Sequence, residues 1–194
     1  MNKTNILVID GHPDPESYCA ALARAYAEGA ERSGAEVRRI ALRELRFEPN
    51  LRYGYRQRTE LEPDLLRAQA LIREADHLVL VYPTWWGAMP AILKGFVDRV
   101  FLPGFAFRYR ESSQLWDKLL VGKSARLIVT TDTPSWYNRL VYRQAGHLVM
   151  RRNILGFCGV KPVRLTVLGP VKPSTPERRA AWLERIRKLG GKQT

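Results

Sequence analysis

The stretch HLVLVYPTWWGAMPAILKG, residues 77–95, decides the fold. Its first seven residues form a short apolar run of the kind found inside parallel sheets. Pro90 is well placed to open a helix, because proline is favoured at the first helical position. Trp85 and Trp86 therefore fall where a buried strand ends and a helix begins. In open α/β sheets, that edge is where ligands bind.

Strand and helix patterns alternate along the rest of the chain. The predicted strands cover residues 5–10, 37–42, 77–82, 125–131 and 163–168. The predicted helices cover residues 17–35, 63–75, 90–101 and 176–191, the last with Thr175 as its N-cap, and residues 48–60 are predicted as a loop. This alternation predicts βαβ units with right-handed crossovers. We expect one domain over residues 1–194, a three-layer α/β/α sandwich around a five-stranded parallel sheet.

The composition indicates an intracellular protein without a metal site. Cys19 and Cys158 are too few for a disulfide framework or a zinc set, which favours a reducing compartment. The first residues run into a strand pattern and show no signal peptide. No apolar run approaches the roughly 20 residues that span a bilayer. We therefore expect a cytoplasmic location.

The positive charge is concentrated in the C-terminal part of the chain. Residues 108–194 carry 18 Lys and Arg against 5 Asp and Glu, which accounts for the whole net charge of +13. Such a surface favours attraction to polyanions, anionic lipid or phosphorylated cofactors, and the alternative is an ordinary solvated basic surface. The basic residues are scattered over several elements and no nucleic-acid motif accompanies them, so nucleic-acid binding is not predicted.

The loop after the first strand, DGHPDPESYCAAL at residues 10–22, has two interpretations. It lacks the Gly-x-Gly-x-x-Gly and Gly-x-x-x-x-Gly-Lys-Ser/Thr patterns of common nucleotide loops. An anion site at a helix N-terminus is one interpretation, with donors from His12, Ser17 and the backbone N–H groups of Tyr18 and Cys19. In the alternative, Ser17 is an ordinary N-cap and His12 a turn residue. The residues alone leave both open.

Four segments together resemble the NAD(P)H:quinone oxidoreductase family of flavodoxin-like flavoproteins. They are the G-H-P-x-x-x-S pattern at 11–17, YPTWWGAMPAILKGFVDRVFLPGFAF at 82–107, Thr130–Thr131, and GFCG at 156–159. The resemblance covers nearly the whole chain to about residue 171, and the block from Trp86 to Val100 is its most specific part. It implies the flavodoxin-like fold.

The resemblance also implies a flavin site. The residues that match the phosphate loop are His12, Ser17, Tyr18 and Cys19. Those that match the segment along the isoalloxazine ring, with backbone N–H groups directed at its polar edge, are Pro83, Thr84, Trp85 and Trp86, and those of the second ring-side loop are Thr130 and Thr131. Cys19 stands where relatives commonly have Asn, and Asp132-Thr133 where they usually have two glycines. An acidic side chain there either crowds and repels a flavin or reorganises the pocket.

The activity implied by the resemblance is a ping-pong, two-electron reduction. NAD(P)H passes a hydride to the flavin and leaves, and a quinone-like acceptor then takes the same place and receives the hydride. FAD is the expected cofactor, with FMN the close alternative, and NADH against NADPH stays open. Tyr137 and His147 are the candidate catalytic residues that offset negative charge on the reduced ring.

The resemblance further implies a homodimer with the active site at the subunit boundary. Phe107, Tyr109 and Phe157 would lie on the rim of the partner's substrate pocket, and core packing within one subunit is the competing explanation. A second functional hypothesis comes from relatives that are flavin-containing ancillary subunits of membrane potassium-efflux systems. The basic C-terminal part would then make a peripheral contact with the transporter or with anionic lipid.

Overall fold

A five-stranded parallel sheet forms the centre of the computed structural model, which describes residues 3–111 and 113–193. The strands in chain order are β1 (Asn5–Asp10), β2 (Glu36–Ala41), β3 (His77–Pro83), β4 (Phe107–Tyr109), β5 (Trp116–Lys118), β6 (Ser124–Thr130) and β7 (Val163–Leu168). The central sheet has the order β2-β1-β3-β6-β7, and β4 and β5 form a separate antiparallel pair. The predicted five-stranded parallel sheet is confirmed.

Helices cover both faces of this sheet. They are α1 (Tyr18–Arg32), α2 (Pro63–Glu74), α3 (Ala91–Val100), α4 (Ser135–Leu140), α5 (Ala145–Leu148) and α6 (Pro176–Gly191), with a 3-10 turn at Leu42–Glu44 and a π-helical segment at Val149–Gly156. Helices α1 and α6 share one apolar core with the sheet, while α2, α3 and the π-helical segment share the other. The strand β3 is buried over its whole length because both faces are covered.

Local sequence signals account for the helix boundaries. Ser17 caps α1 by accepting the Ala20 N–H at 3.2 Å, and Thr175 caps α6 by accepting the Arg178 N–H at 3.3 Å. The predicted helix over 17–35 ends earlier, at Arg32, because Gly34 adopts a left-handed φ of 87°. The predicted strand over 37–42 is shifted by one residue, since Leu42 starts the 3-10 turn.

Helices α1 and α6 pack with their backbones in direct contact. A Cβ atom at Gly29 would lie 1.9 Å from the Arg187 carbonyl oxygen, and one at Gly190 would lie 2.1 Å from that of Tyr26. Any side chain at either glycine would force the helices apart. This contact fixes α6 beside the start of α1, where the Tyr18 hydroxyl donates to the Arg179 carbonyl at 2.8 Å.

The segment between β3 and β7 contains elements that the sequence patterns did not predict. The hairpin β4–β5 uses strands of only three residues, too short for a periodic signal. Phe105, Ala106 and Phe107 are buried in the core of the same chain, which favours core packing over the partner contact for this apolar stretch. No helix among residues 3–111 and 113–193 is long and apolar enough to cross a membrane.

Candidate functional site

A cavity of about 190 Å³ lies at the carboxyl ends of β1, β3 and β6. Its lining residues are His12, Tyr18, Cys19, Pro83, Thr84, Trp85, Thr130, Thr131, Asp132 and Val171. Eight of these ten residues are among those the sequence predicted for the cofactor. Four larger concave surfaces, of about 970, 930, 580 and 250 Å³, are lined by other residues. We assign the candidate site to the smaller cavity because parallel α/β sheets bind ligands at their carboxyl edge.

His12 is held in one orientation by its own loop. Its backbone N–H donates to Asp10 Oδ1 at 3.1 Å, and its ring Nδ1 accepts the Asp14 N–H at 3.0 Å. Asp10 is itself held by an ion pair of 2.5 Å with Arg43. Because Nδ1 acts as an acceptor, the neutral ring carries its proton on Nε2, which is then a donor. The ring packs edge-on against Trp85, with 5.3 Å between centroids.

The N-terminus of α1 faces the cavity with its backbone. Ser17 Oγ accepts the Ala20 N–H as the N-cap. Its hydroxyl can still donate a hydrogen bond to an anion. The side chain of Tyr18 bonds to α6, so the group that Tyr18 offers a ligand is its backbone N–H. The first N–H groups of any α-helix lack internal acceptors, and those of Tyr18 and Cys19 occupy these positions. The arrangement suits a phosphate group.

Cys19 is a neutral structural group. Its Sγ lies 3.2 Å from Thr130 Oγ1 and its side chain is buried. Burial raises the pKa of the Cys19 thiol to about 12, so the nucleophilic thiolate is scarce at neutral pH. The thiol thus links α1 to β6.

Residues 85–88 form a tight two-residue hairpin turn. Trp85 and Ala88 exchange both backbone hydrogen bonds at 2.9 Å, and Trp86 and Gly87 between them have φ values of 50° and 74°. This is the geometry of a type I′ turn. The Thr84 N–H donates to the Thr130 carbonyl at 2.7 Å. The expected donation of N–H groups to a ring is therefore wrong for Thr84 and Trp85, and the turn tip at Trp86 and Gly87 is left to provide it.

The loop after β6 is organised around Asp132. Its Oδ1 accepts the Lys172 N–H at 2.6 Å, which ties this loop to the one after β7. The Thr131 carbonyl accepts the Val171 N–H at 3.1 Å in the same connection. The Asp132 carboxylate therefore has a partner within the chain, and its effect on a flavin stays a prediction.

Thr84 Oγ1 is an unsatisfied polar atom beside the cavity. It is buried and has no hydrogen-bond partner among the residues that the structure describes. A buried hydroxyl without a partner costs about 1–3 kcal/mol, so such groups are normally satisfied by water or a ligand. This atom indicates where a polar atom of a ligand would lie.

Tyr137 and His147 do not line the cavity of this chain. His147 is buried in α5, and its Nε2 lies 3.0 Å from Asn138 Nδ2. Burial lowers the pKa of the His147 imidazole, which is therefore neutral near pH 7. Tyr137 on α4 packs edge-on against Trp136 and Tyr142 at centroid distances of 5.4 and 5.0 Å.

Helix α5 nevertheless reaches the turn at 85–88. A Cβ atom on Gly146 would lie 2.0 Å from the Gly87 carbonyl oxygen. Glycine at 146 therefore permits backbone contact between α5 and this turn. The sequence analysis missed Gly146, Asn138 and the Asp10–Arg43 pair. The one available signal was Asp10 itself, a charged residue at the end of an apolar strand.

The predicted substrate-pocket residues gather into one aromatic cluster. Phe107 contacts Tyr109 and Phe157 with centroid distances of 5.2 and 5.0 Å. Phe157 also stacks on Trp116 at 4.3 Å, and Trp116 Nε1 donates to the Phe157 carbonyl at 3.0 Å. Phe107 is buried whereas Tyr109 is exposed. The cluster lies outside the cavity of its own chain.

The fold and the cavity together define a class: a flavodoxin-like α/β protein with an anion-suited loop and an aromatic turn at the carboxyl edge. Comparison with protein families agrees, because the model described as "Flavodoxin-like fold" matches residues 4–189. The human ribosyldihydronicotinamide dehydrogenase [quinone] is 30% identical, over 97% of this chain and 93% of its own length. An uncharacterized NAD(P)H oxidoreductase of Haemophilus influenzae is 27% identical, over 93% of this chain and 91% of its own length.

Solved structures are similar over the same extent. A Streptococcus mutans protein has a TM-score of 0.84 and 30% identity, over 97% of this chain and all of its own. The NAD(P)H:quinone oxidoreductase of Methanothermobacter marburgensis has a TM-score of 0.83 over the full length of both chains. Its sequence is 24% identical, so this similarity concerns the fold. The chain belongs to the NAD(P)H:quinone oxidoreductase family of flavodoxin-like proteins.

Proposed function

We propose that the protein is a flavin-dependent NAD(P)H oxidoreductase that reduces quinones or similar acceptors by two electrons in a ping-pong scheme. The observation that carries the proposal is the cavity at the carboxyl ends of β1, β3 and β6, which combines a helix N-terminus with an aromatic turn. The human relative bears the name of a quinone-dependent dehydrogenase.

The first loop fits the phosphate end of a flavin. Nε2 of His12 and the N–H groups of Tyr18 and Cys19 are donors, and the helix dipole of α1 favours an anion at this position. Arg179 lies beside Tyr18, where it counteracts the rise that burial causes in the pKa of the Tyr18 phenol, to about 12. That guanidinium offers a cation for a second phosphate, and we therefore propose FAD over FMN.

The opposite side of the cavity fits the flavin ring. Trp85 supplies a flat apolar wall, and the turn tip at Trp86 and Gly87 supplies backbone donors. Thr84 Oγ1, unsatisfied in the described part of the chain, supplies a hydroxyl for a polar atom of the ring. No side chain in this set is a nucleophile, because the Cys19 thiol is neutral. The residues thus bind and orient a cofactor and leave the chemistry to it.

A bound flavin would supply two-electron hydride transfer, so that NAD(P)H, a proton and a quinone would yield NAD(P)⁺ and a hydroquinone. The protein's task is to hold both partners in turn over one face of the cavity and to exclude water from it. Tyr137 and His147 remain our candidates for stabilising negative charge. Because His147 is neutral, it would act by hydrogen bonding.

A second copy of the chain would complete the site. The cavity of about 190 Å³ is smaller than the roughly 300–1,000 Å³ of typical ligand pockets. Trp86 is fully exposed beside it, which is costly for a large aromatic side chain. We propose a homodimer in which the exposed Tyr109 of one copy, backed by Phe107 and Phe157 of the same aromatic cluster, covers the cavity of the other.

The test is a visible absorption spectrum after incubation with FAD or FMN and desalting. Retention of a flavin band is expected, and the retained cofactor identifies the flavin. NADPH and NADH are then compared in quinone reduction by the loaded protein. A protein that retains neither flavin, although folded by circular dichroism, would contradict the proposal.

A further inference from the structure

A second concave surface lies at the opposite edge of the sheet. It is an open groove of about 930 Å³ between the π-helical segment, the start of β6 and the start of β7. We call it the basic groove. Its charged lining residues are Lys118, Arg126, Arg151, Arg152, Lys161 and Arg164, and among the described residues no acidic side chain lines it. Six cationic residues thus line one depression.

Most of these cations have no counter-charge in the described part of the chain. None of Lys118, Arg151, Arg152, Lys161 and Arg164 forms an ion pair there, whereas Arg43, Arg99 and Arg187 elsewhere do. Like charges placed this close destabilise the fold. An anionic ligand would convert this repulsion into binding energy.

One of the six cations is built into the wall of the groove. Arg126 is only 6% exposed and donates to Thr166 Oγ1 at 2.7 Å. Burial lowers the pKa of its guanidinium, and Arg164 lowers it further. The positive field also reaches His77, whose pKa falls to about 4 through burial and through Arg126 and Arg164. The buried guanidinium of Arg126 therefore contributes fixed positive charge beside the groove, and the exposed arginines supply the donors for an anion.

The basic groove is separate from the cavity at the carboxyl edge. Arg126 and Thr130 are four residues apart on β6, which corresponds to about 13 Å along the strand. Each lines a different one of the two concavities. A ligand in the groove would therefore leave the cavity accessible.

We propose that the basic groove binds a small oligophosphate, either inorganic or attached to a nucleoside. Arginine guanidinium groups match phosphate oxygens with paired hydrogen bonds, and Arg151, Arg152 and Arg164 are exposed and can make such contacts. Val160 and Val163 give the groove an uncharged floor. Single-stranded nucleic acid needs aromatic stacking platforms, and no aromatic side chain among the described residues lines this groove. Its concave form and volume suit a small molecule better than a membrane surface.

The proposal is tested by isothermal titration calorimetry of the flavin-loaded protein with sodium triphosphate and, separately, with ATP, at about 0.15 M salt. The groove variant is Arg151→Gln with Arg164→Gln. The matched control is Arg24→Gln with Arg39→Gln, which removes two exposed arginines from another part of the surface. Saturable binding is expected, weakened about tenfold or more in the groove variant and unchanged in the control, because each charge-assisted contact is strong. The two titrants distinguish an inorganic from a nucleoside ligand.

Three results would overturn the proposal: no saturable binding to either titrant, equal affinity of the groove variant and the control, or release of the flavin on binding. Binding confined to anionic vesicles or to oligo(dT) would overturn it equally, in favour of a macromolecular partner. Unchanged unfolding midpoints of both variants ensure that the comparison concerns folded protein.

Discussion

Trp86 shows how a single residue reports on the site. Its φ of 50° is a left-handed conformation that favours glycine, and its side chain is fully exposed. The left-handed backbone costs free energy and the exposed side chain gains none from burial, so the tryptophan at this position serves something other than the stability of the isolated chain. Thr84, two residues earlier, carries a similar cost in its unsatisfied hydroxyl. A ligand or a second copy of the chain would stabilise these two residues, by covering the Trp86 side chain and by bonding to the Thr84 hydroxyl.

We expect Thr84→Val to weaken flavin binding by about three- to tenfold while leaving the flavin-free protein as stable as the parent. The variant removes a buried hydroxyl that has no internal partner in the described structure, so the free chain loses nothing. Flavin dissociation constants and urea unfolding of the flavin-free form measure the two effects. A flavin-free variant destabilised by more than about 1 kcal/mol would show that the hydroxyl has an internal partner.

Because the pKa of the His77 imidazole is lowered, we expect the protein to lose stability in mild acid. Burial, with Arg126 and Arg164, lowers its pKa to about 4 from 6.5. Between these values the unfolded chain binds a proton that the folded chain refuses, so stability falls as the pH falls from 6.5 to 4. The loss is up to about 3 kcal/mol, with about 2 reached by pH 5.

The measurement is the free energy of unfolding at pH 7 and pH 5 for the parent and for His77→Asn, which retains a polar atom for the 2.7 Å contact with Ser124 Oγ. The variant should lose less stability between the two pH values. Some loss will remain, because burial also lowers the pKa of His147. Parallel losses in both proteins would assign the effect to other groups.

Elements without regular structure are held by specific side chains. Arg99 on α3 is buried, with 1% of its side chain exposed, and it forms a 2.8 Å ion pair with Glu62. It also donates to the carbonyls of Glu48 and Glu60. One guanidinium therefore joins both ends of the loop over residues 48–62, which explains how this polar segment, predicted as a loop, stays ordered.

Arg99→Met should destabilise the protein by about 3 kcal/mol and expose residues 49–61 to proteolysis, because breaking a buried pair leaves its partners unsatisfied. Lys94→Met is the matched control. Lys94 and Asp98 on the same helix form an i, i+4 pair at 2.7 Å, but 52% of the Lys94 side chain is exposed. Lys94→Met should lower the free energy of unfolding by less than about 1 kcal/mol. Equal effects in urea unfolding would contradict the role of Arg99.

Helix α5 is positioned by the absence of a side chain. Gly146→Ala should push α5 from the turn at 85–88, destabilise the protein by about 1–3 kcal/mol and weaken flavin retention. Gly191→Ala on α6 is the control, since its Cβ would meet the nearest atom at an ordinary 3.6 Å. Unfolding midpoints and flavin retention are compared. If Gly146→Ala behaves like the control, the contact between α5 and the turn has no structural weight.

At the scale of the whole molecule, exposed apolar residues cluster near the site. Trp136, Leu140, Val141 and Tyr142 on and after α4 are all exposed, on the segment that leads to α5. Isolated soluble chains rarely expose such a patch, and the segment leads into α5, whose Gly146 contacts the turn at 85–88, which agrees with the proposed dimer.

Light scattering should therefore give a mass of twice the chain's 22.3 kDa at micromolar concentration. Leu140→Glu should lower the affinity of the dimer by tenfold or more, because it places a charge in an apolar contact. Leu66→Glu is the control, since Leu66 is also exposed (54% against 71% for Leu140) and lies on α2, outside both the α4 segment and the aromatic cluster. A monomeric parent, or equal effects of both changes, would contradict this surface as the interface.

The sequence by itself determined the fold and most of the cavity. Apolar runs such as residues 77–83, proline and threonine at helix starts, and polar residues at strand ends are local signals, and parallel strands necessarily bring their carboxyl ends to one edge. Eight predicted cofactor residues accordingly line one cavity. The hairpin β4–β5 and the π-helical segment escaped prediction because three-residue strands and a five-residue hydrogen-bond period leave no clear pattern.

Only the tertiary structure decided which groups of those residues are free to act. The Thr84 N–H donates to the Thr130 carbonyl and the Trp85 N–H to the Ala88 carbonyl. The Tyr18 hydroxyl donates to the Arg179 carbonyl on α6. The tertiary structure likewise gathered scattered arginines, 126, 151 and 164 among them, into one groove. Hydrogen-bond partners and charge convergence depend on residues far apart in sequence, which is why no local pattern records them.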